Sequence, residues 1–68
     1  MEEVSAEEEL VEPEAAAKIL TVKTITVYKW VYERKIPFIK VGGSLRFRRS
    51  ALRDWLRERE YIPAKKND

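Results

Sequence analysis

The side chains able to do chemistry are spread unevenly along these 68 residues. Arg46, Arg48 and Arg49 flank Phe47 in one tight run, with Lys40 shortly before it. Cationic groups at this density suit an anionic partner, because Lys and Arg that neutralise phosphates release condensed counterions. The competing reading of the same run is a solvated edge strand guarded by charge against aggregation. A second group is Thr24, Ile25, Tyr28, Lys29 and Tyr32. At 100° per residue Ile25, Tyr28, Lys29 and Tyr32 share one side of a helix, opposite Val27 and Val31. A lysine there can reach guanine O6 or N7, or a phosphate, and an isoleucine can meet a thymine methyl group. The tyrosines have either phosphate contact through their hydroxyls or cover for the edge of the core as their role. Thr24 and Thr26 are further candidates for backbone contact.

Catalytic chemistry finds little support. There is no histidine and no cysteine, and no Gly-rich loop ends in Gly-Lys-Ser/Thr. Gly42-Gly43 reads as a turn. Most carboxylates lie near the N-terminus, where nothing would fix their geometry. The expectation is a protein that is not an enzyme, with no cofactor, no metal ligands and no small-molecule substrate.

The formal charge of +2 conceals a strong asymmetry. Residues 1–17 contain Glu2, Glu3, Glu7, Glu8, Glu9, Glu12 and Glu14 and no base, whereas all fourteen Lys and Arg lie in residues 18–68. Residues 1–10 are too acidic and too poor in large apolar groups to bury much, so they are expected to form a flexible or fraying arm. That arm is expected to compete electrostatically with DNA for the basic surface, in a salt-sensitive way. No apolar run approaches the roughly 20 residues that cross a bilayer, and the start is unlike a signal peptide. The expectation is a soluble, cytoplasmic protein without a membrane partner, nucleoid-associated when bound.

These groups need elements to hold them. Glu12-Pro13-Glu14 starts a short helix, proline taking the first position where its missing N–H is not needed, and Ala15 to Leu20 continue it. Thr21-Val22-Lys23 interrupts, and a second helix runs from about Thr24 to Arg34 despite several β-branched residues. Pro37 ends any helix before it. Phe38–Val41 and Leu45–Arg48, separated by Gly42-Gly43-Ser44, predict a hairpin with Leu45 and Phe47 on one face and Arg46 and Arg48 on the other. Ser50 is the expected N-cap of a last helix in which Leu52, Trp55, Leu56 and Arg59 form the apolar stripe. Val22, Val27, Trp30, Val31, Phe47, Leu52, Trp55 and Leu56 are assigned to the core. Residues 63–68 form a loose polar tail.

The fold class is therefore α+β, mainly α: a small winged helix-turn-helix over residues 11–62, with two short helices, a β-hairpin wing and a C-terminal closing helix. In that arrangement the second helix enters the major groove and the wing reaches the backbone or minor groove.

The stretches Val11-Glu12-Pro13-Glu14-Ala15-Ala16-Ala17-Lys18-Ile19-Leu20, Val27-Tyr28, Lys35-Ile36-Pro37, Val41-Gly42-Gly43, Arg46-Phe47 and Trp55-Leu56 resemble the excisionase-type DNA-binding family, related to the mercury-resistance regulator fold. The resemblance covers about residues 11–57. It implies an accessory or architectural factor that bends double-stranded DNA and binds neighbouring sites cooperatively, with a recombinase or further copies of itself as partners. The chain departs from the family pattern at four places. Thr21 and Arg34 stand where the family has glycine, Lys23 where it has a helix-capping serine, leaving Thr24 as the expected cap, and Ser44 where a basic wing-tip residue is frequent. Two other readings stand beside this one: a transcriptional regulator of the same fold, and a protein-interaction adaptor using the Ile25-Tyr28-Tyr32 face.

Overall fold

A computed structural model describes residues 9–61. The inner end of the expected arm is ordered: Leu10–Val11 form strand β1. Residues 1–8 of the arm, Ile62 and the tail at 63–68 lie outside the described residues. Helix α1 (Pro13–Leu20) and helix α2 (Thr24–Tyr32) follow, then the hairpin of β2 (Ile39–Val41) and β3 (Ser44–Arg48), then helix α3 (Arg49–Arg59). The sheet has three strands in the order β1-β3-β2, both pairings antiparallel. This is the small, mainly helical winged architecture expected, with one strand added.

Helix α1 begins as its sequence dictates, with Pro13 in its first turn and Glu14 near the positive end of the dipole. Its end is less ordinary. Thr21 takes the left-handed conformation, φ 62°, and donates its N–H to Lys18 O, while Val22 N–H reaches Ala17 O. The same pair of bonds closes α2: Arg34, φ 59°, donates to Val31 O and Lys35 to Trp30 O. Both helices thus end in the Schellman geometry that glycine normally serves, with a β-branched residue and an arginine at its left-handed position. Each such residue costs about 1–2 kcal/mol in steric crowding of Cβ.

Two capping expectations are corrected. Thr24 is the first residue of α2 and not its cap, and the flanking Lys23 makes no side-chain capping bond. The helix also stops at Tyr32, before Arg34. Ser50 likewise lies inside α3, which starts at Arg49 directly from the end of β3. A tertiary acceptor replaces the local one, since Arg49 N–H donates to Glu9 O at 3.2 Å. That bond and the β1–β3 pairing, Leu10 opposite Arg48 and Val11 opposite Phe47, order a segment that composition alone assigns to the arm.

The core is small. Val11, Ala16, Ala17, Leu20, Val27, Ile36, Phe47 and Leu52 are buried, and Phe47, Leu52 and Val27 are the largest side chains fully enclosed. Val22, Trp30, Val31 and Trp55 pack against this cluster half-buried. Leu56, expected in the core, is 40% exposed: α3 turns Leu52 inward, and the next turn lies at the margin of so thin a domain. The hairpin turn is tight. Gly42 has φ 68°, and Gly43 N–H folds back to Val41 O at 2.9 Å, so Ser44 belongs to β3 and pairs with Val41.

Two stability outcomes follow from this packing. Thr21→Gly and Arg34→Gly each relieve a left-handed Cβ and are expected to stabilise by about 1 kcal/mol, a rise in Tm of about 4–8 °C for a domain of this size, read by thermal circular dichroism. Phe47→Ala is expected to cost about 3–5 kcal/mol, comparable to the whole stability of a cysteine-free domain this short, and to leave the chain largely unfolded in the same assay.

Candidate nucleic-acid interface

Helix α2 presents the first group of candidate residues. Ile25 is 73%, Tyr28 51% and Tyr32 88% exposed, and Lys29 is exposed beside them. Val27 on the reverse side is fully buried and Val31 packs on the core, so packing fixes the rotation of the helix about its axis. That fixed rotation matters because intrinsic propensity does not hold α2: it is rich in β-branched residues and has no side-chain cap. Thr24, half-buried at the first position, borders this face, and Thr26 is half-buried further round. The result is a convex strip with one cation, two phenol hydroxyls and one aliphatic side chain.

Strand β3 presents the second group. Its alternation puts Leu45 and the fully buried Phe47 on one side and Ser44, Arg46 and Arg48 on the other. The register aligns Arg46 with Ile39 of β2 and Arg48 with Leu10 of β1, so the two guanidiniums rise from a face that also carries aliphatic side chains. Arg46 Nη1 donates to Leu45 O at 2.8 Å, which steers the group along the strand and leaves further N–H donors of the fork for another acceptor.

Lys40 and Arg49 stand apart from these two. Lys40 is exposed but pairs with Leu45, and directly opposed residues share a face, so it lies on the opposite side of the hairpin from Arg46 and Arg48. Arg49 is the first residue of α3 and faces Glu9, Nε to Oε1 at 3.5 Å. The Nε atom is shielded from water and makes no hydrogen bond. With Arg49 41% and Glu9 60% exposed, the ion pair itself contributes little; its effect is to set a carboxylate beside this arginine. The dense arginine run of the sequence is therefore divided between one face of the sheet, which carries Arg46 and Arg48, and the start of α3, which carries Arg49.

Sequence reasoning missed one feature. Trp30 and Trp55, assigned to the core, are only half-buried and lie against each other at a tilted angle, with centroids 5.4 Å apart. Arg59, placed on the apolar stripe by its spacing, lies with its guanidinium 4.0 Å from the Trp55 ring centre. The i, i+4 spacing of Trp55 and Arg59 carried that signal.

Among the described residues no cluster of His, Cys, Asp and Glu is placed to hold a metal ion, and no helix is long and apolar enough to cross a membrane. No curated protein and no solved structure matches the chain. A family model described as a helix-turn-helix domain matches residues 10–60, from β1 to just beyond the end of α3. A helix-turn-helix domain implies DNA as the partner, and the match spans the elements that hold both candidate faces: this chain belongs to the excisionase-type family of helix-turn-helix domains.

Proposed function

We propose that this chain is a sequence-specific double-stranded DNA-binding protein, not an enzyme, that acts as an excisionase-like accessory or regulatory factor. Helix α2 reads the major groove and the face of the wing bearing Arg46 and Arg48 holds the backbone beside it. The observation that carries this reading is the exposed strip of Ile25, Tyr28, Lys29 and Tyr32 on a helix whose other side is locked into the core. Exposure of large apolar side chains on one rigid helix is unfavourable unless a partner covers them. A major groove admits a helix of this width and offers acceptors for the lysine and methyl groups for the isoleucine. Arg46 and Arg48 supply the phosphate contacts that fix register. A single small domain buries little surface on DNA, so neighbouring sites filled by further copies, or a recombinase bound alongside, supply the remaining specificity.

The test is a fluorescence-anisotropy titration of a labelled duplex across a series of salt concentrations. Affinity is expected to fall steeply with salt, and the double variant Arg46→Ala/Arg48→Ala to reduce the slope of log affinity against log salt by about 2. A duplex not bound at low salt overturns the reading. On the best site selected from random duplexes, Lys29→Ala is expected to lose about 10–100-fold in affinity while mixed-sequence binding changes far less; equal losses on both would assign Lys29 to phosphate.

The acidic arm enters the same experiment. Its inner end is anchored at β1, where Leu10 pairs with Arg48 and Glu9 meets Arg49. Replacing Glu2, Glu3, Glu7 and Glu8 by Gln is expected to raise low-salt DNA affinity several-fold, with the difference vanishing as salt rises. Unchanged low-salt affinity removes the arm from the binding equilibrium.

A further inference from the structure

A cleft of about 670 Å³ opens where the end of α2 meets α3, lined by Trp30, Arg34, Lys35, Trp55 and Arg59. That is within the size range of ordinary binding pockets. Its floor is aromatic. Trp55 Nε1–H donates to Lys35 O at 2.7 Å, which satisfies its one polar atom and leaves the indole to offer ring surface alone. Trp30 lies against it at an interplanar angle of 46°. Its rim is cationic. Arg59 is held over the Trp55 ring and donates Nη1–H to Trp55 O at 3.1 Å. Lys35 Nζ is 3.2 Å from Glu33, and Arg34 is set at the rim by the left-handed turn that ends α2. These bonds order the walls in the free protein, which lowers the entropy lost when something binds.

The indoles pack against the buried cluster with one side and remain half-buried, so part of each ring surface is left to the cleft. The proposed DNA contact does not use the cleft. Trp30 is roughly 150° around α2 from the centre of the Ile25, Tyr28, Lys29 and Tyr32 face at 100° per residue, so a duplex on that face leaves the cleft open. A duplex backbone is also a poorer match to it than a peptide, because its outer surface is dominated by charged phosphate and has no large apolar group to enter the cleft and cover two indoles.

We infer that the cleft is a docking site for an acidic peptide segment of a partner protein. An apolar or aromatic side chain of the segment rests on Trp30 and Trp55, and flanking Asp or Glu carboxylates pair with Arg34, Lys35 and Arg59. Charge complementarity chooses this occupant: Arg34, Lys35 and Arg59 rim an aromatic floor, with Glu33 3.2 Å from Lys35 and Glu58 3.7 Å from Arg59 as exposed partners that an incoming carboxylate would displace, and an arginine fork binds carboxylate oxygens in pairs. The DNA-bound protein thereby keeps a second surface for recruiting a protein.

Trp30 and Trp55 are the only two tryptophans in the chain, so selective excitation of indole reports on this cleft alone. The full chain is titrated with a short synthetic peptide of Glu, Asp and Leu around one Phe, lacking Trp and Tyr. A saturable change in indole emission is expected, absent with the same peptide carrying Gln and Asn for its acids. Affinity is expected to weaken about tenfold in the Arg34→Gln/Arg59→Gln variant, whose replaced residues are exposed and whose fold is checked by circular dichroism. Added duplex DNA is expected to leave the peptide bound. Four results overturn the inference: no saturable change up to millimolar peptide, displacement of the peptide by duplex DNA, an equal response to adenosine monophosphate, or binding seen only after Glu2, Glu3, Glu7 and Glu8 are all replaced by Gln, which assigns the cleft to the chain's own arm. The titration contains no DNA until its last step, so its result stands separately from that of the DNA-binding experiment.

Discussion

The shared burial of Phe47, Leu52 and Val27 in one cluster, with Ala16, Ala17 and Leu20 of α1 joining α2 to β3 and α3, is the constraint on which the rest of the molecule depends. Phe47, Leu52 and Val27 are the three largest side chains fully enclosed, and they come from β3, α3 and α2. In a domain this short, with no cysteine to form a disulfide, this one buried cluster fixes those elements relative to one another among the described residues, assisted at its edge by the Trp30–Trp55 contact. The position of Lys29 relative to Arg46 is therefore set by a few apolar contacts on the far side of each element. Alternation along β3 then makes the arginine face a geometric consequence of burying Phe47, since a strand that turns residue 47 inward turns 46 and 48 outward. The same logic applies to α2, where burying Val27 delivers Ile25, Tyr28 and Tyr32 to the surface.

What was legible in the sequence followed from periodicity and backbone chemistry. Pro13 marked the start of α1, Gly42-Gly43 marked the hairpin, and the spacing of apolar residues gave both faces of α2 and of β3. What was not legible depended on residues distant in the chain. The Leu10–Val11 strand exists because β3 offers it an edge, and its acidic neighbours disguise it as arm. Ser50 and Thr24 carry capping side chains, yet neither caps. At α3 the strand runs straight into the helix and Glu9 supplies the acceptor for Arg49 N–H. A local signal yields to a tertiary bond that no window of sequence contains. The candidate site divides in the same way: periodicity placed the α2 strip and the Arg46/Arg48 pair, whereas register set Lys40 on the other face and a long-range contact set Glu9 against Arg49.

The two left-handed residues connect stability with placement. Thr21 and Arg34 stand at the family's glycine positions and adopt the glycine conformation, so the turn geometry is retained at the expense of steric crowding. Both turns satisfy helix-end carbonyls through two bonds each, and the unmet carbonyls of a broken turn would be more costly than a crowded Cβ. The strain is tolerated because the alternative is worse. At Arg34 the substitution also changes chemistry, because it places a guanidinium at the rim of the tryptophan cleft where glycine would leave none.

The separation of the cleft from the proposed reading face of α2 determines how the two proposed partners would interact energetically. A helix with its side chains is about 10–12 Å across, and charges on opposite sides of it are separated by more than the roughly 8 Å screening length at physiological salt. A bound acidic segment therefore does little to repel a duplex held on the far face, and the two affinities are nearly independent. Coupling strong enough to matter would have to pass through packing, and the structure offers one route for it. Trp30 follows the exposed Lys29 on the same helix and meets Trp55 of α3 at a tilted angle, so a ligand that shifted the indole pair would rotate α2 and lift its buried Val27 out of the cluster. The cost of disturbing close-packed side chains resists such a shift. With DNA and a protein placed as proposed, the arrangement is that of a rigid adaptor and not of a switch in which one partner expels the other.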